Sequence, residues 1–225
     1  MVSSAWSDRK VVFEEKMGWL QDKLQEMGSL VEEAIARSIQ ALKTQDMELA
    51  KAVIAGDDAI DKLELEIEDK CLEIIATQQP MAKDLRRVAT LFKMISDLER
   101  MADYATDISK ITLRIANQPL IKPLVDIPRM ALLSQKMVKQ SLDAYVREDV
   151  ELATAVGLDD DEVDKLFGQI FRELLTIMME NPRTITQATL LLFVSRWLER
   201  IADHATNIAE EVIFLVTGDK KMLNE

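Results

Sequence analysis

Thiol and imidazole groups are almost absent from this chain of 225 residues, which has one cysteine, Cys71, and one histidine, His204. A lone cysteine closes no internal disulfide, as expected of a protein kept in a reducing compartment. One imidazole excludes an HExxH zinc site, and a Ser-His-Asp triad would have to use His204 with no nucleophile elbow nearby. The six glycines are scattered, so no P-loop or dinucleotide fingerprint exists to support ATP hydrolysis or hydride transfer. A ferritin-like di-iron core needs Glu-x-x-His, yet the residue three after Glu199 is Ala202. No strictly apolar run outlasts Leu190–Val194, far short of the roughly 20 residues that span a bilayer. Acids in the N-terminal stretch replace the apolar core of a signal peptide. A cytoplasmic protein is expected, meeting membranes only peripherally through partners. Basic residues are also scarce: 28 Lys and Arg against 40 Asp and Glu leave a formal charge of −12. No basic stripe is available to displace counterions, which argues against a nucleic-acid partner.

With only five prolines and 5% aromatics, and 48% of the chain hydrophobic, the composition favours long helices that bury one sizeable core or two small ones. The sequence also repeats itself. Asp46-Met-Glu-Leu-Ala-Lys-Ala-Val53 parallels Asp149-Val-Glu-Leu-Ala-Thr-Ala-Val156, and Asp58-x-x-Asp61-Lys-Leu63 parallels Asp161-x-x-Asp164-Lys-Leu166. Further on, Leu98-Glu-Arg-Met-Ala-Asp-Tyr-Ala-Thr-Asp-Ile108 parallels Leu198-Glu-Arg-Ile-Ala-Asp-His-Ala-Thr-Asn-Ile208. The register between copies changes around Pro80 and Pro182, where an inter-helix turn tolerates deletions.

Apolar residues at three- and four-residue intervals, such as Leu91, Met94, Ile95, Leu98, Met101, Ala105 and Ile108, predict helices and no strands. Six are placed at about 8–43, 46–78, 81–116, 125–147, 149–180 and 183–217. Thr44 or Asp46, and Asp149, are the expected N-caps, Pro80 and Pro182 suit helix starts, and Gly218 ends the last helix. Short turns make each copy an up-down-up bundle. The expected fold is therefore all-α, two tandem pseudo-symmetric three-helix bundles. The first repeat covers 1–118, a proline-rich linker 119–128, and the second repeat 129–225.

On a helix, Glu99, Asp103 and Asp107 fall on one stripe beside the apolar face, and Glu199, Asp203 and Asn207 repeat the pattern. Asp58, Asp61, Asp161 and Asp164 are candidate contributors from across each bundle. Crowded carboxylates need protons, basic side chains or a metal to relieve them. Oxygen ligands suit hard ions such as Mg, Mn or Fe, and zinc is admissible although cysteine and histidine partners are missing. The bland alternative is a solvated helix face paired with Arg100 and Lys110. His204 answers to Tyr104 in the first copy, so a structural role is expected for it, and Cys71 reads as buried filler. Arg86 and Arg87 admit two readings, a partner-binding pair or helix-opening charges paired locally.

The duplicated Leu-Glu-Arg-x-Ala-Asp helices, Asp58-x-x-Asp61-x-Leu-Glu64 and Gln79-Pro-Met-Ala-Lys-Asp-Leu-Arg-Arg87 closely resemble the PhoU family of phosphate-specific transport system accessory proteins, over roughly 17–218. That resemblance implies paired three-helix bundles that bind clusters of metal ions, often iron or zinc, through Glu99, Asp103 and Asp107 and through Glu199, Asp203 and Asn207. It also implies a non-enzymatic, homodimeric negative regulator of phosphate uptake and of the phosphate-starvation response. Its partners would be the ATPase subunit of the phosphate ABC transporter and a phosphate-sensing histidine kinase. An accessory of a secondary phosphate permease and a metal-storage bundle are the alternatives. The second copy has Asn181-Pro-Arg-Thr-Ile-Thr186 in place of the Gln-Pro-Met-Ala motif, so a partner surface using Arg86 would be one-sided.

Overall fold

The computed structural model describes residues 2–223, with side chains from Lys10 onward; the outermost residues of the two repeats, Met1, Asn224 and Glu225, lie outside the described residues. Among the described residues there are six long helices and no strand: α1 (Val2–Thr44), α2 (Met47–Gln78), α3 (Lys83–Ile115), α4 (Asp126–Arg147), α5 (Val150–Glu180) and α6 (Ile185–Thr217). None of them is long and apolar enough to cross a membrane.

The helix ends follow local chemistry. Asp46 accepts from the backbone N–H groups of Glu48 and Leu49, and Asp149 does the same for Glu151 and Leu152, satisfying donors that have no partner inside α2 and α5. Thr44 is not a cap, since its hydroxyl bonds the Gln40 carbonyl. Gly218 adopts the left-handed conformation, φ 83°, that closes α6. Of the two prolines expected at helix starts, one departs from expectation and the other meets it. Pro80 precedes α3 within a turn where Gln79 and Ala82 both have positive φ, and Pro182 opens a single 3-10 turn, Pro182–Thr184, before α6. Pro128 lies inside the first turn of α4, where its missing N–H has no intrahelical acceptor to lose.

Short turns fold α1–α3 and α4–α6 into antiparallel bundles. α3 then packs against α6 and α1 against α4, leaving α2 and α5 at opposite edges. The buried residues form one continuous core, from Met17 and Leu24 through Met94 and Leu98 to Leu198 and Val212. α1 and α4 come so close that a Cβ on Gly28 would stand 2.4 Å from Leu142 Cδ1. Cys71 is fully buried within this core, and its burial pushes the thiol up to about 12, consistent with a packing role.

Candidate cation sites on the two outer helix pairs

The acid stripe of α3 faces acids on α2. Glu99 and Asp103 are one turn apart, and the α2 residues that meet them are Asp57, Asp61 and Glu64. Burial raises the Glu99 carboxyl above its ordinary value; Asp103, Glu64 and Asp61 press in the same direction and Arg100 opposes them. Asp57 is raised by burial and then by Asp61 and Asp103, while a hydrogen bond from Thr106 pulls the other way. Glu64 is raised by burial, with Ser96 donating to it at 3.2 Å and Glu68 and Asp61 adding repulsion. Asp58, one residue off this line, is exposed. The spacing Asp57, Asp61, Glu64 is itself helical, but that this row faces Glu99 and Asp103 follows only from how α2 packs on α3. The repeated Asp-x-x-Asp block drew attention to Asp58 instead.

The second copy is built the same way between α5 and α6. Asp164 is raised by burial and by Asp203 and Asp161. Glu199 is raised by burial, with Asp203 and Asp164 repelling it and Arg196, bonded to its carboxylate, opposing. Asn207 does not join this group. Its amide donates to Asp97 Oδ1 at 3.3 Å across the α3–α6 seam, beside His204, whose Nδ1 lies 2.8 Å from the same oxygen. His204 thus links α6 to Asp97 of α3, and its ring lies 5.8 Å from that of Tyr104, its counterpart. Asp97 was missed because its own counterpart is Trp197, outside the identities of the repeat.

Basic side chains hold these carboxylates. Arg100 bonds Asp103 at 2.9 Å and lies 3.6 Å from Glu99, Lys110 bonds Asp107 at 2.9 Å, and Arg200 bonds Asp203 at 3.3 Å. Among the described residues, no three carboxylate, imidazole or thiol groups are already gathered as a metal-holding cluster. The donor set fits a hard cation, because both rows offer only oxygen ligands. A cation entering the first row would displace Arg100, and one entering the second would displace the half-buried Arg196 and also Arg200. Arg86 and Arg87 are engaged internally: Arg86 Nε donates to the Leu215 carbonyl at 3.3 Å near the end of α6, and Arg87 forms a two-pronged bond to Glu14 of α1 at 3.0 and 3.1 Å.

Comparison with known proteins decides the family. The PhoU domain matches residues 24–112 and again 127–212. The chain belongs to the PhoU family. It is 41% identical over 215 residues to a phosphate-specific transport system accessory protein PhoU homolog of Clostridium acetobutylicum, covering 95% of this chain and 98% of that one. A PhoU homolog of the same description from Caulobacter vibrioides is 44% identical over 207 residues, 92% of this chain and 90% of its own. Among solved structures, PhoU from Pseudomonas aeruginosa superposes with a TM-score of 0.89 at 37% identity, covering 92% of this chain and all of that one. The phosphate transport system regulatory protein PhoU from Streptococcus pneumoniae gives 0.85 at 29% identity, over 93% and 99%. The PhoU domain thus falls once on each repeat.

Proposed function

We propose that this chain is a non-enzymatic accessory of the phosphate transport system, acting as a negative regulator of phosphate uptake and of the phosphate-starvation response. One observation supports it above the others: similarity to phosphate-specific transport system accessory proteins extends over nearly the whole length of both chains and through both repeats. In this proposal the chain works as a homodimer and by contact, docking on the transporter's ATPase subunit and on a phosphate-sensing histidine kinase. The two carboxylate rows hold metal ions, iron or zinc with Mg or Mn as the alternatives, through Glu99 and Asp103 with Asp57, Asp61 and Glu64, and through Glu199 and Asp203 with Asp164. Asp107 contributes at the edge of the first row. A bound cation would supply positive charge that lets these acids stay ionised side by side.

Deleting the gene tests the regulatory role. Phosphate-starvation genes should be expressed in high phosphate once the protein is gone, and restored by the intact chain. Normal repression in the deletion strain would sink the proposal.

A further inference from the structure

The α5–α6 edge carries an apolar strip that includes two aromatic or Met positions the first repeat lacks, although α2 also exposes Leu65, Leu72 and Ile75. Phe171, Leu175 and Met179 recur every four residues and so stand on one stripe of α5; they are 41%, 46% and 77% exposed. The counterparts of Phe171 and Met179 in α2 are Glu68 and Ala76. The register between the two antiparallel helices is fixed by Asp164 facing Asp203 and by the Arg196 guanidinium lying 5.7 Å over the Phe167 ring. From that point towards the α5–α6 turn, the strip runs beside the start of α6, where Ile185 is also exposed. One end of the groove is therefore apolar and the other is the acid group of Asp164, Asp203 and Glu199. From Asp164 to Met179 the groove is roughly 22 Å long at 1.5 Å per residue, room for about four helical turns.

An exposed apolar strip of this kind on a soluble bundle marks a contact surface, and the charge beside it selects the occupant. Arg196 and Arg200 pair with Glu199 and Asp203, yet four carboxylates, with Asp161 and Asp164, outnumber these two guanidinium groups. The acid end stays net negative, which disfavours an anionic membrane face, and a second copy presenting this same edge would bring it further acids. We propose that the α5–α6 groove docks an amphipathic helix of another protein. Its apolar residues, at three- and four-residue spacing, cover Phe171, Leu175 and Met179, and its Lys or Arg residues meet Asp164 and Asp203. The proposal rests on the conclusion that the chain acts by protein contact, but it requires neither a bound cation nor a particular target.

The probe is a synthetic helical peptide of about 18 residues, with leucines every three to four positions and lysine elsewhere, compared with the same peptide whose leucines are serine. Fluorescence anisotropy should show salt-sensitive binding of the leucine peptide to the full chain, weakened at least tenfold by Phe171→Ser with Leu175→Ser. It should be unchanged by Leu132→Ser, an exposed leucine on α4. Photo-crosslinks should fall on α5 and α6, and the circular dichroism of the variants should match the parent. Equal binding of the two peptides, an unaffected Phe171→Ser/Leu175→Ser chain, or crosslinks confined to the first repeat overturns the proposal. So does either rival occupant: strip-dependent binding to phosphatidylserine vesicles, or self-association abolished by the same substitutions. Because none of these readouts involves phosphate signalling, failure here is distinguishable from failure of the deletion test.

Discussion

The two repeats share a plan and differ in what surrounds it. Between α2 and α3, Glu99 and Asp103 face Asp57, Asp61 and Glu64, with Ser96 and Glu68 alongside. Between α5 and α6, the residues answering to Glu64, Glu68 and Ser96 are Phe167, Phe171 and Arg196, and Asn207 stands where the first repeat has Asp107. Three carboxylates have been lost and a guanidinium gained. The helices and the central Glu-x-x-x-Asp are common to both repeats, while the rim differs: the first edge concentrates acids, and the second mixes acids with Phe167, Phe171 and one more guanidinium, Arg196. One fold thus supplies two edges of different chemistry.

The largest expected difference is in retained metal. After dialysis against a weak chelator, Glu99→Ala with Asp103→Ala should remove most of the tightly held divalent cation measured by elemental analysis, and Glu199→Ala with Asp203→Ala a minor part. Since affinity follows the number of ligand charges, titration with Mn2+ should separate the two sites by about tenfold or more. Arg196→Ser, which copies Ser96 into the second repeat, should narrow that gap. Equal metal loss from the two double variants would erase the comparison, and unchanged metal content in both would remove the cation role altogether.

Acidity offers a second way to weigh the edges. Asp57, Glu64 and Glu99 in the first repeat, and Asp164 and Glu199 in the second, are raised above their ordinary values, burial being the first cause in each. In the window between ordinary and raised values the folded chain holds protons that the unfolded chain has released, so stability falls as pH rises through it and is regained on acidification. Glu73, which Lys16 and Lys70 hold down at about 2, acts in the opposite sense, its contribution fading only as the pH falls from the ordinary carboxylate value towards 2. The metal-free chain should therefore melt higher at mildly acidic pH, just above the ordinary carboxylate range, than at neutrality, with the slope flattened by saturating Mn2+. Glu64→Gln with Glu99→Gln should flatten it more than Glu199→Gln does. A profile indifferent to these changes would show that the rows are too well solvated to matter.

The smallest effect concerns two threonines. Thr106 donates to Asp57, whereas the buried hydroxyl of its counterpart Thr206 has no hydrogen-bond partner among the described residues. Urea unfolding should show Thr106→Val costing about 1 kcal/mol and Thr206→Val costing nothing or stabilising the chain, because an unsatisfied buried hydroxyl is better replaced by a methyl group. Equal costs would mean that the two inner walls are equivalent after all.

Much of this architecture was legible in the sequence because it rests on periodic signals. Helix spacing, Asp46 and Asp149 at the caps, and Gly218 at the last terminus are local, and the structure repeats them with shifts of a few residues. The Gln79–Ala82 turn was not legible, since nothing in Gln-Pro-Met-Ala announces two non-glycine residues with positive φ. At the acid rows, Glu99, Asp103, Glu199 and Asp203 emerged from the repeat. What crosses between helices did not: Asp57 in front of Asp103, Arg196 on Glu199, and Asn207 turned to Asp97. Those depend on rotation and register of packed helices, which neither propensity nor self-similarity encodes. His204 could be given a structural role by comparison with Tyr104, but its partner Asp97 is unique to one copy and left no trace in the repeat.

The seam between α3 and α6 also bears on ancestry. Since the core runs unbroken from one repeat into the other, a half-length chain ending at the linker would present one wall of that core to water. Two identical halves could cover it by pairing about the twofold axis that the repeats still approximate. A one-repeat ancestor of this chain would on this ground have been a dimer. Joining the halves in one gene would then have freed each edge to change without altering the other, and the exchange of Glu64 and Glu68 for Phe167 and Phe171 is the kind of change that a symmetric pair could not have kept to one side.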